Sequence, residues 1–99
     1  MPGKYDFDKA TREYIIERDN RRCIVCGSTS YLGIAHIFVS RAKGGRGIRS
    51  NGVVLCQRCH HNLDNGRSEP IQNRIRQICE NYLHKRENVD LDKIKDKGR

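Results

Sequence analysis

Two Cys-x-x-Cys pairs constrain the fold of this chain more than any other feature. Cys23 and Cys26 form the first pair, Cys56 and Cys59 form the second, and the segment between them is longer than in a minimal zinc ribbon. Four thiolates at this spacing are typical of a closed, tetrahedral zinc site. Cys79 is left over, and an odd number of cysteines argues against a disulfide framework. The sequence therefore predicts one structural Zn²⁺ held by the two pairs.

The size of the chain makes such a metal useful for stability. With 99 residues, 35% hydrophobic residues and no Trp, we expect a single domain over 1–99 with a thin core, and such domains commonly need a metal or disulfides. The chain opens on polar residues and has neither a secretory signal nor an apolar run that could span a membrane. We therefore expect no membrane partner and a cytoplasmic location, where paired Cys-x-x-Cys motifs usually bind metal.

Positive charge surrounds the cysteine pairs. The formal net charge is +8, and no Asp or Glu occurs from Asn20 to Leu63. This pattern predicts a ligand with a phosphate backbone, that is, a nucleic acid. A generic basic surface is the alternative. The residues that we expect to bind DNA are Arg41, Lys43, Arg46, Arg49 and Arg58.

Hydrophobic patterning predicts two short antiparallel strands, at residues 32–37 and 53–55, in a small α+β domain. The loop at 40–52 between them is rich in Gly and Arg, and its length and charge favour a ligand loop over a flexible connection. A helix over 56–65 follows the second strand directly, and Gly66 is the residue expected to end it. The centre of the chain is therefore predicted to be a β-ribbon followed by a helix.

Helices are also expected on both sides of this core. The first covers about residues 8–19, with Asp6 or Asp8 as its cap, and the other covers 68–86. An apolar stripe on the second flanking helix is expected to face the core, with its cysteine as a buried free thiol; the stripe is Ile71, Ile75, Ile78, Cys79, Tyr82 and Leu83. A charged tail at 87–99 follows. Its few apolar residues favour a weak final helix at most: Val89, Leu91 and Ile94.

A second group of residues has the spacing of a site that performs chemistry. His60 and Asp64 stand four apart on the predicted helix, so both side chains lie on one face and can bind one cation. A surface ion pair is the alternative. His36 lies in an apolar stretch near the end of the first strand, where the alternative is a core histidine. Asn51 precedes Gly52, where the alternative is a role in the turn.

Together these residues resemble a known family. The run AHIFVSRAKGGRGIRSNGVVLCQRCHHNLDNG is similar to the HNH endonucleases, in particular to the small zinc-stabilised versions of phages and prophages. The resemblance extends from Cys23 to about Gly66. It implies a ββα-metal (His-Me finger) core at about residues 20–66, with flanking N- and C-terminal helices. The three letters of the motif match His36, Asn51 and His60.

The resemblance implies a role for each residue. His36 corresponds to the general base, and Asn51 to the residue that holds the loop and the base in place or reaches the metal. His60 corresponds to a ligand of the catalytic divalent cation, and Asp64 is its partner one turn later; Mn²⁺, Ni²⁺ and Mg²⁺ are the candidate ions. One position departs from the pattern. Many relatives carry Asp, Glu or His immediately before the base, whereas this chain has Ala35.

The resemblance implies a metal-dependent DNA endonuclease that hydrolyses phosphodiester bonds, and its expected partner is duplex DNA, bound with weak sequence preference. The resemblance to phage versions also implies a bacterial or phage-infected cell and a role in genome packaging with terminase proteins; restriction and homing are alternatives. A non-catalytic zinc-ribbon module that binds nucleic acid would need the cysteines and the basic loop, but not His36, Asn51 and Asp64. A protein-interaction zinc domain explains neither the histidines nor the acid-free stretch. The joint presence of the three residues favours the enzyme.

Overall fold

The computed structural model describes residues 6–65 and 69–95. The helices are α1 (Lys9–Arg18), α2 (Gln57–Asn65), α3 (Glu69–Arg86) and α4 (Leu91–Ile94), the strands are β1 (Leu32–His36) and β2 (Gly52–Cys56), and two 3₁₀ turns between the strands are Arg41–Lys43 and Arg49–Asn51. The fold is the small α+β class that the sequence predicts, and both strands end within one residue of their predicted bounds. The residue expected to end α2, Gly66, lies outside the described residues. None of the described helices is long and apolar enough to cross a membrane.

The two strands form an antiparallel ribbon with two different faces. His36 lies opposite Gly52 at one end of the ribbon. Because side chains alternate along a strand, Ala35 and Val53 share a face, and they belong to a buried cluster with Leu63 of α2. Every residue of β2 is buried, since α2 and α3 cover this face and α1 covers the other.

The opposite face is covered by α1 and by the residues just before it. Asp8 caps α1, because its side chain accepts a hydrogen bond from the backbone N–H of Thr11 (2.8 Å). Ile15 of α1 is fully buried. Gly52 has no space for a side chain, since a Cβ there would lie 2.6 Å from the Phe7 ring. The absence of that Cβ therefore lets the N-terminal segment lie directly on the ribbon.

The third helix buries a narrower stripe than the sequence predicts. Ile75, Cys79 and Leu83 are buried, whereas Ile71 and Ile78 are 44% and 37% exposed. The prediction is wrong for those two because α3 packs mainly against α2, and a single neighbour covers only the line of residues four apart. Cys79 is a buried free thiol, as predicted, and burial raises its pKa to about 12.

A buried ion-pair network joins the flanking helices to β2. Arg18 donates to both carboxylate oxygens of Asp19 (2.7 and 3.1 Å) and to the carbonyl of Gly52 (2.6 Å). Asp19 also accepts from the backbone N–H of Val54 (2.9 Å) and from the phenol of Tyr82 (2.6 Å). Burial, together with the hydrogen bond to the carboxylate, raises the pKa of Tyr82 to about 12. The network was not predicted from the sequence.

The basic loop between the strands is attached to the C-terminal part of the chain. The backbone N–H of Arg46 donates to the carbonyl of Ile94 (2.8 Å), and Gly45 forms a β-bridge with Lys95. A Cβ at Gly45 would collide with the carbonyl of Val39. The backbone of Gly45 therefore lies closer to the backbone of Val39 than any residue with a side chain could. Ile94 is fully buried. The final helix α4 thus holds the loop that the sequence suggested as a ligand loop.

Candidate metal centres and active site

The four paired cysteines converge on one point. Their sulfur atoms all lie within 4.8 Å of one another, and Sγ of Cys26 lies 3.6 Å from Sγ of Cys56. Sulfurs bound to one tetrahedral Zn²⁺ at about 2.3 Å are about 3.8 Å apart. All cysteines of the chain lie within the described residues, and none forms a disulfide. The four thiols therefore have the spacing that a structural zinc ion requires.

The local backbone explains how these sulfurs meet. The first pair turns at Gly27, whose φ of +80° is the left-handed conformation that glycine adopts easily. The second pair sits where β2 passes into α2, and the N–H of Cys59 points at Sγ of Cys56 (3.5 Å). Burial, together with the sulfurs of Cys56 and Cys23, raises the pKa of the Cys59 thiol above its ordinary value. Such a thiol becomes a thiolate when a cation compensates its charge.

The two candidate ligands of the catalytic cation lie side by side on α2. Nε2 of His60 is 3.3 Å from Oδ2 of Asp64, and the side chains are 37% and 57% exposed. With Gln57 and His61 they line a surface cavity of about 240 Å³. Across residues 6–65 and 69–95, the four cysteines are the only convergent group of three or more possible ligands. The pair on α2 is therefore a two-donor site that faces solvent.

Ala35 occupies the position where a third donor is missing. It is 1% exposed and belongs to the cluster that contains Cys59 and Leu63. The side chain before His36 thus lies on the face of the ribbon that α2 covers. A carboxylate at this position would project toward the helix that carries the donor pair, whereas the methyl group of alanine offers no ligand.

His36, the candidate base, lies at the end of β1 on the face opposite to Ala35. It is half-buried, and its ring packs against Phe7 with 4.6 Å between centroids and a tilt of 42°. The structure does not bring His36 into one ligand group with the donors on α2. A general base acts on a water molecule and needs no bond to the metal. Sequence analysis missed Phe7, because a lone aromatic residue ahead of a helix has no periodicity to reveal its contact.

Asn51 is fully buried and holds the chain that follows His36. Its Oδ1 accepts from the N–H groups of Phe38 (2.8 Å) and Val39 (3.2 Å). Its Nδ2 donates to the carbonyls of Val39 (3.0 Å) and Arg46 (3.1 Å). Both amide atoms thus have two backbone partners, which is their full capacity. These bonds hold the loop that follows His36, whereas a role of Asn51 toward the base or a metal stays a prediction.

The basic residues predicted to bind DNA have different surroundings. Nε of Arg41 lies 2.7 Å from the carboxylate of Asp6. Arg49 lies 3.4 Å from Glu87 and over the ring of Tyr14 at 4.9 Å. The exposed members of the set are Arg41, Lys43, Arg49 and Arg58, and Arg46 is half-buried. Two of the exposed cations are therefore already paired within the protein.

Comparisons with known proteins agree with this arrangement. The family model of the HNH endonucleases matches residues 23–66, the segment that holds both cysteine pairs, the candidate base and the donor pair. The solved structure of the Type IV phosphorothioation-dependent restriction endonuclease ScoMcrA is similar, with a TM-score of 0.64 and 24% identity. The likeness covers 84% of this chain and 19% of that one, so this chain spans about a fifth of that enzyme's length. No curated protein matches.

The family match and the fold agree for the central segment of the chain. The resemblance to HNH endonucleases is confirmed for residues 23–66. In that segment an antiparallel ribbon is followed directly by a helix, with four convergent cysteines beside their junction that could hold zinc, which is the arrangement expected of a ββα-metal fold.

Proposed function

We propose that this protein is a metal-dependent DNA endonuclease that hydrolyses phosphodiester bonds. The observation that carries the proposal is the HNH family match over residues 23–66, because the candidate base, the buried amide and the donor pair all lie within it. The absence of acidic residues from 20 to 63 supports DNA as the substrate. The structural likeness to one restriction endonuclease supports the fold.

His36 is the proposed general base. A neutral imidazole can take a proton from the attacking water near neutral pH. Two contacts hold this imidazole in place: the Phe7 ring packs against it, and the amide of Asn51 fixes the backbone that follows it. A base whose ring is packed on one face and whose following backbone is fixed loses little time in unproductive orientations, which favours proton transfer.

His60 and Asp64 are the proposed holders of the catalytic divalent cation. When bound, such a cation supplies Lewis-acid stabilisation of the scissile phosphate and of the leaving oxygen. The pair offers one imidazole nitrogen and one carboxylate. This donor set suits Mn²⁺ or Ni²⁺ better than Mg²⁺, which prefers oxygen ligands. The four cysteines are the proposed ligands of a separate, structural Zn²⁺.

The basic residues are the proposed phosphate contacts. Lys43 and Arg58 are exposed and form no ion pair with a carboxylate among residues 6–65 and 69–95, so within that part of the chain they have no partner to give up for a phosphate. Arg41 and Arg49 would first have to exchange a carboxylate for a phosphate. We therefore assign the larger share of backbone binding to the first two.

Plasmid cleavage tests the proposal directly. Supercoiled DNA is incubated with the wild-type protein and Mg²⁺, Mn²⁺, Ni²⁺ or Zn²⁺, and with the His36→Ala variant under the same conditions. Loss of the base should slow cleavage by about 10²–10⁴-fold, while the circular dichroism spectrum and DNA binding stay at wild-type levels. His84→Ala, an exposed histidine of α3, is the matched control. Equal cleavage by His36→Ala and wild type would exclude His36 as the base.

A non-catalytic, zinc-stabilised nucleic-acid-binding module is the second candidate. Ala35 favours it, because the donor pair on α2 then lacks a third ligand from the protein. This candidate predicts tight DNA binding without cleavage in any of the four metals. A phage origin, terminase partners and a choice among packaging, restriction and homing stay predictions.

A further inference from the structure

Tyr31 is the most exposed large hydrophobic residue that the structure describes. Its side chain is 82% exposed, and its φ of +53° lies in the left-handed region that non-glycine residues rarely occupy. The carbonyl of Tyr31 accepts a hydrogen bond from the N–H of Gln57 (2.9 Å). The start of α2 thus holds the backbone of this residue in an unfavourable conformation, with the ring in solvent.

The phenol groups of the other described tyrosines form hydrogen bonds within the protein. The phenol of Tyr14 donates to Glu87 (2.8 Å), and its ring lies under Arg49. The phenol of Tyr82 donates to Asp19. Within the described part of the chain, the side chain of Tyr31 makes no such hydrogen bond or ring contact. The side chain of Tyr31 therefore contributes neither to the packed core nor to the buried ion-pair network.

Tyr31 lines two surface cavities. The first, of about 320 Å³, is also lined by Leu32, Gly33 and His60. Gly33 contributes open space, since nothing lies within 4 Å of a Cβ placed there. The second cavity, of about 380 Å³, is also lined by Arg58. Tyr31 thus shares one cavity with a proposed metal ligand and the other with an exposed cation.

This placement suits one kind of occupant. We propose that Tyr31 stacks on a nucleobase of the bound DNA that is unpaired or has left its place in the duplex stack, in the cavity that it shares with His60. Aromatic rings stack on any base regardless of sequence, which agrees with binding dominated by the backbone. Arg58 can hold the phosphate of the same or the adjacent nucleotide, and residues 20–63 carry no acid to oppose it. The choice of DNA rests on the proposed nuclease function.

A tryptophan probe tests the contact. The chain contains no Trp, so Tyr31→Trp introduces a single reporter on the protein surface, and Ile78→Trp places the same reporter at an exposed position of α3 outside the proposed DNA contacts as the control. Metal-free DNA should quench the emission of the first variant and leave that of the second nearly unchanged. Polyphosphate, a polyanion without bases, should bind without quenching. Equal quenching by polyphosphate and DNA, or no quenching on DNA binding, overturns the proposal.

Affinity and cleavage give a second measurement. Tyr31→Ala should weaken DNA binding by about 5- to 150-fold, whereas Tyr31→Phe should bind like wild type because the ring is kept. Zinc content and circular dichroism check that both variants fold. Quenching without cleavage in any metal refutes the nuclease and keeps the stacking contact. Cleavage with unchanged affinity in Tyr31→Ala keeps the nuclease and refutes the contact. Quenching by an acidic peptide but not by DNA would identify a protein partner instead and refute the nucleobase.

Discussion

The two proposed metal centres of this protein differ in how much of the coordination shell the chain itself supplies. At the cysteine centre four sulfurs meet within 4.8 Å. At the centre on α2, His60 and Asp64 supply two donors, and Ala35 supplies none. A closed shell binds its ion without help, so the binding energy can support folding. An open shell leaves positions for water and phosphate oxygens, so its ion is held firmly only when the substrate is present.

The largest effect is expected from opening the closed shell. Cys56→Ser should give insoluble or unfolded protein, because structural zinc contributes about 10–16 kcal/mol in small domains, and whole domains are stable by only about 5–15 kcal/mol. Zinc content by mass spectrometry and folding by circular dichroism are the measurements. Cys79→Ala, a buried thiol outside the site, should keep one zinc ion per chain. If the Cys56→Ser protein lacks zinc and yet stays folded and active, the cysteine centre is not needed for folding.

The next effect is expected at the open shell. Asp64→Ala should reduce metal-dependent cleavage by at least about 100-fold, since even outer partners of metal ligands contribute about 10–100-fold. The zinc content and the unfolding transition should stay unchanged, because the exposed carboxylate plays no part in packing. His61→Ala, on the same helix and exposed, is the control for a general change in α2. Normal cleavage by Asp64→Ala would mean that the catalytic ion is held elsewhere.

Adding a third donor to the site on α2 should make that site more like the closed cysteine centre. Ala35→Asp places a carboxylate on the face that α2 covers, so metal affinity should rise on the order of tenfold and Mg²⁺ should support cleavage better. Without metal the variant should be less stable by about 1–3 kcal/mol, because a polar group is then buried without a partner. Ala35→Asn has nearly the same shape and no charge. If both variants respond equally to Mg²⁺, residue 35 does not reach the ion.

The smallest effect concerns the phosphates that complete the open shell. DNA affinity should fall steeply with salt and depend little on sequence. Lys43→Ala and Arg58→Ala should each flatten the plot of log K against log salt by about one unit. Lys85→Ala, exposed on α3, should leave the slope unchanged. Binding to one short sequence without salt dependence would point to a module that reads bases.

The sequence predicted the features that depend on short spacing. Cys23 and Cys26 are three apart, and His60 and Asp64 are four apart on a helix, so each pair is placed by local geometry alone. The strands around the basic loop were predicted for the same reason, since their apolar runs are short and bounded by turn residues. These are the parts on which the family resemblance also rests.

The contacts that sequence could not predict join residues far apart in the chain. Phe7 reaches His36 only because Gly52 lacks a side chain, and no local pattern encodes that approach. The pairing of Arg18 with Asp19 looks like ordinary surface charge until β2 and α3 bury it. The left-handed backbone of Tyr31 depends on the neighbouring helix in the same way. Such features follow from tertiary packing, which a periodicity does not describe.

The buried network limits how far the chain can be shortened without losing its fold. The N–H of Val54 is bonded to Asp19, and the carbonyl of Gly52 to Arg18, so β2 relies on residues ahead of the family-matched segment. A fragment limited to residues 23–66 would leave these groups without partners and would remove Leu83 from the core. We therefore expect that fragment to remain unfolded even when saturated with zinc, and the shortest autonomous unit to reach from α1 through α3.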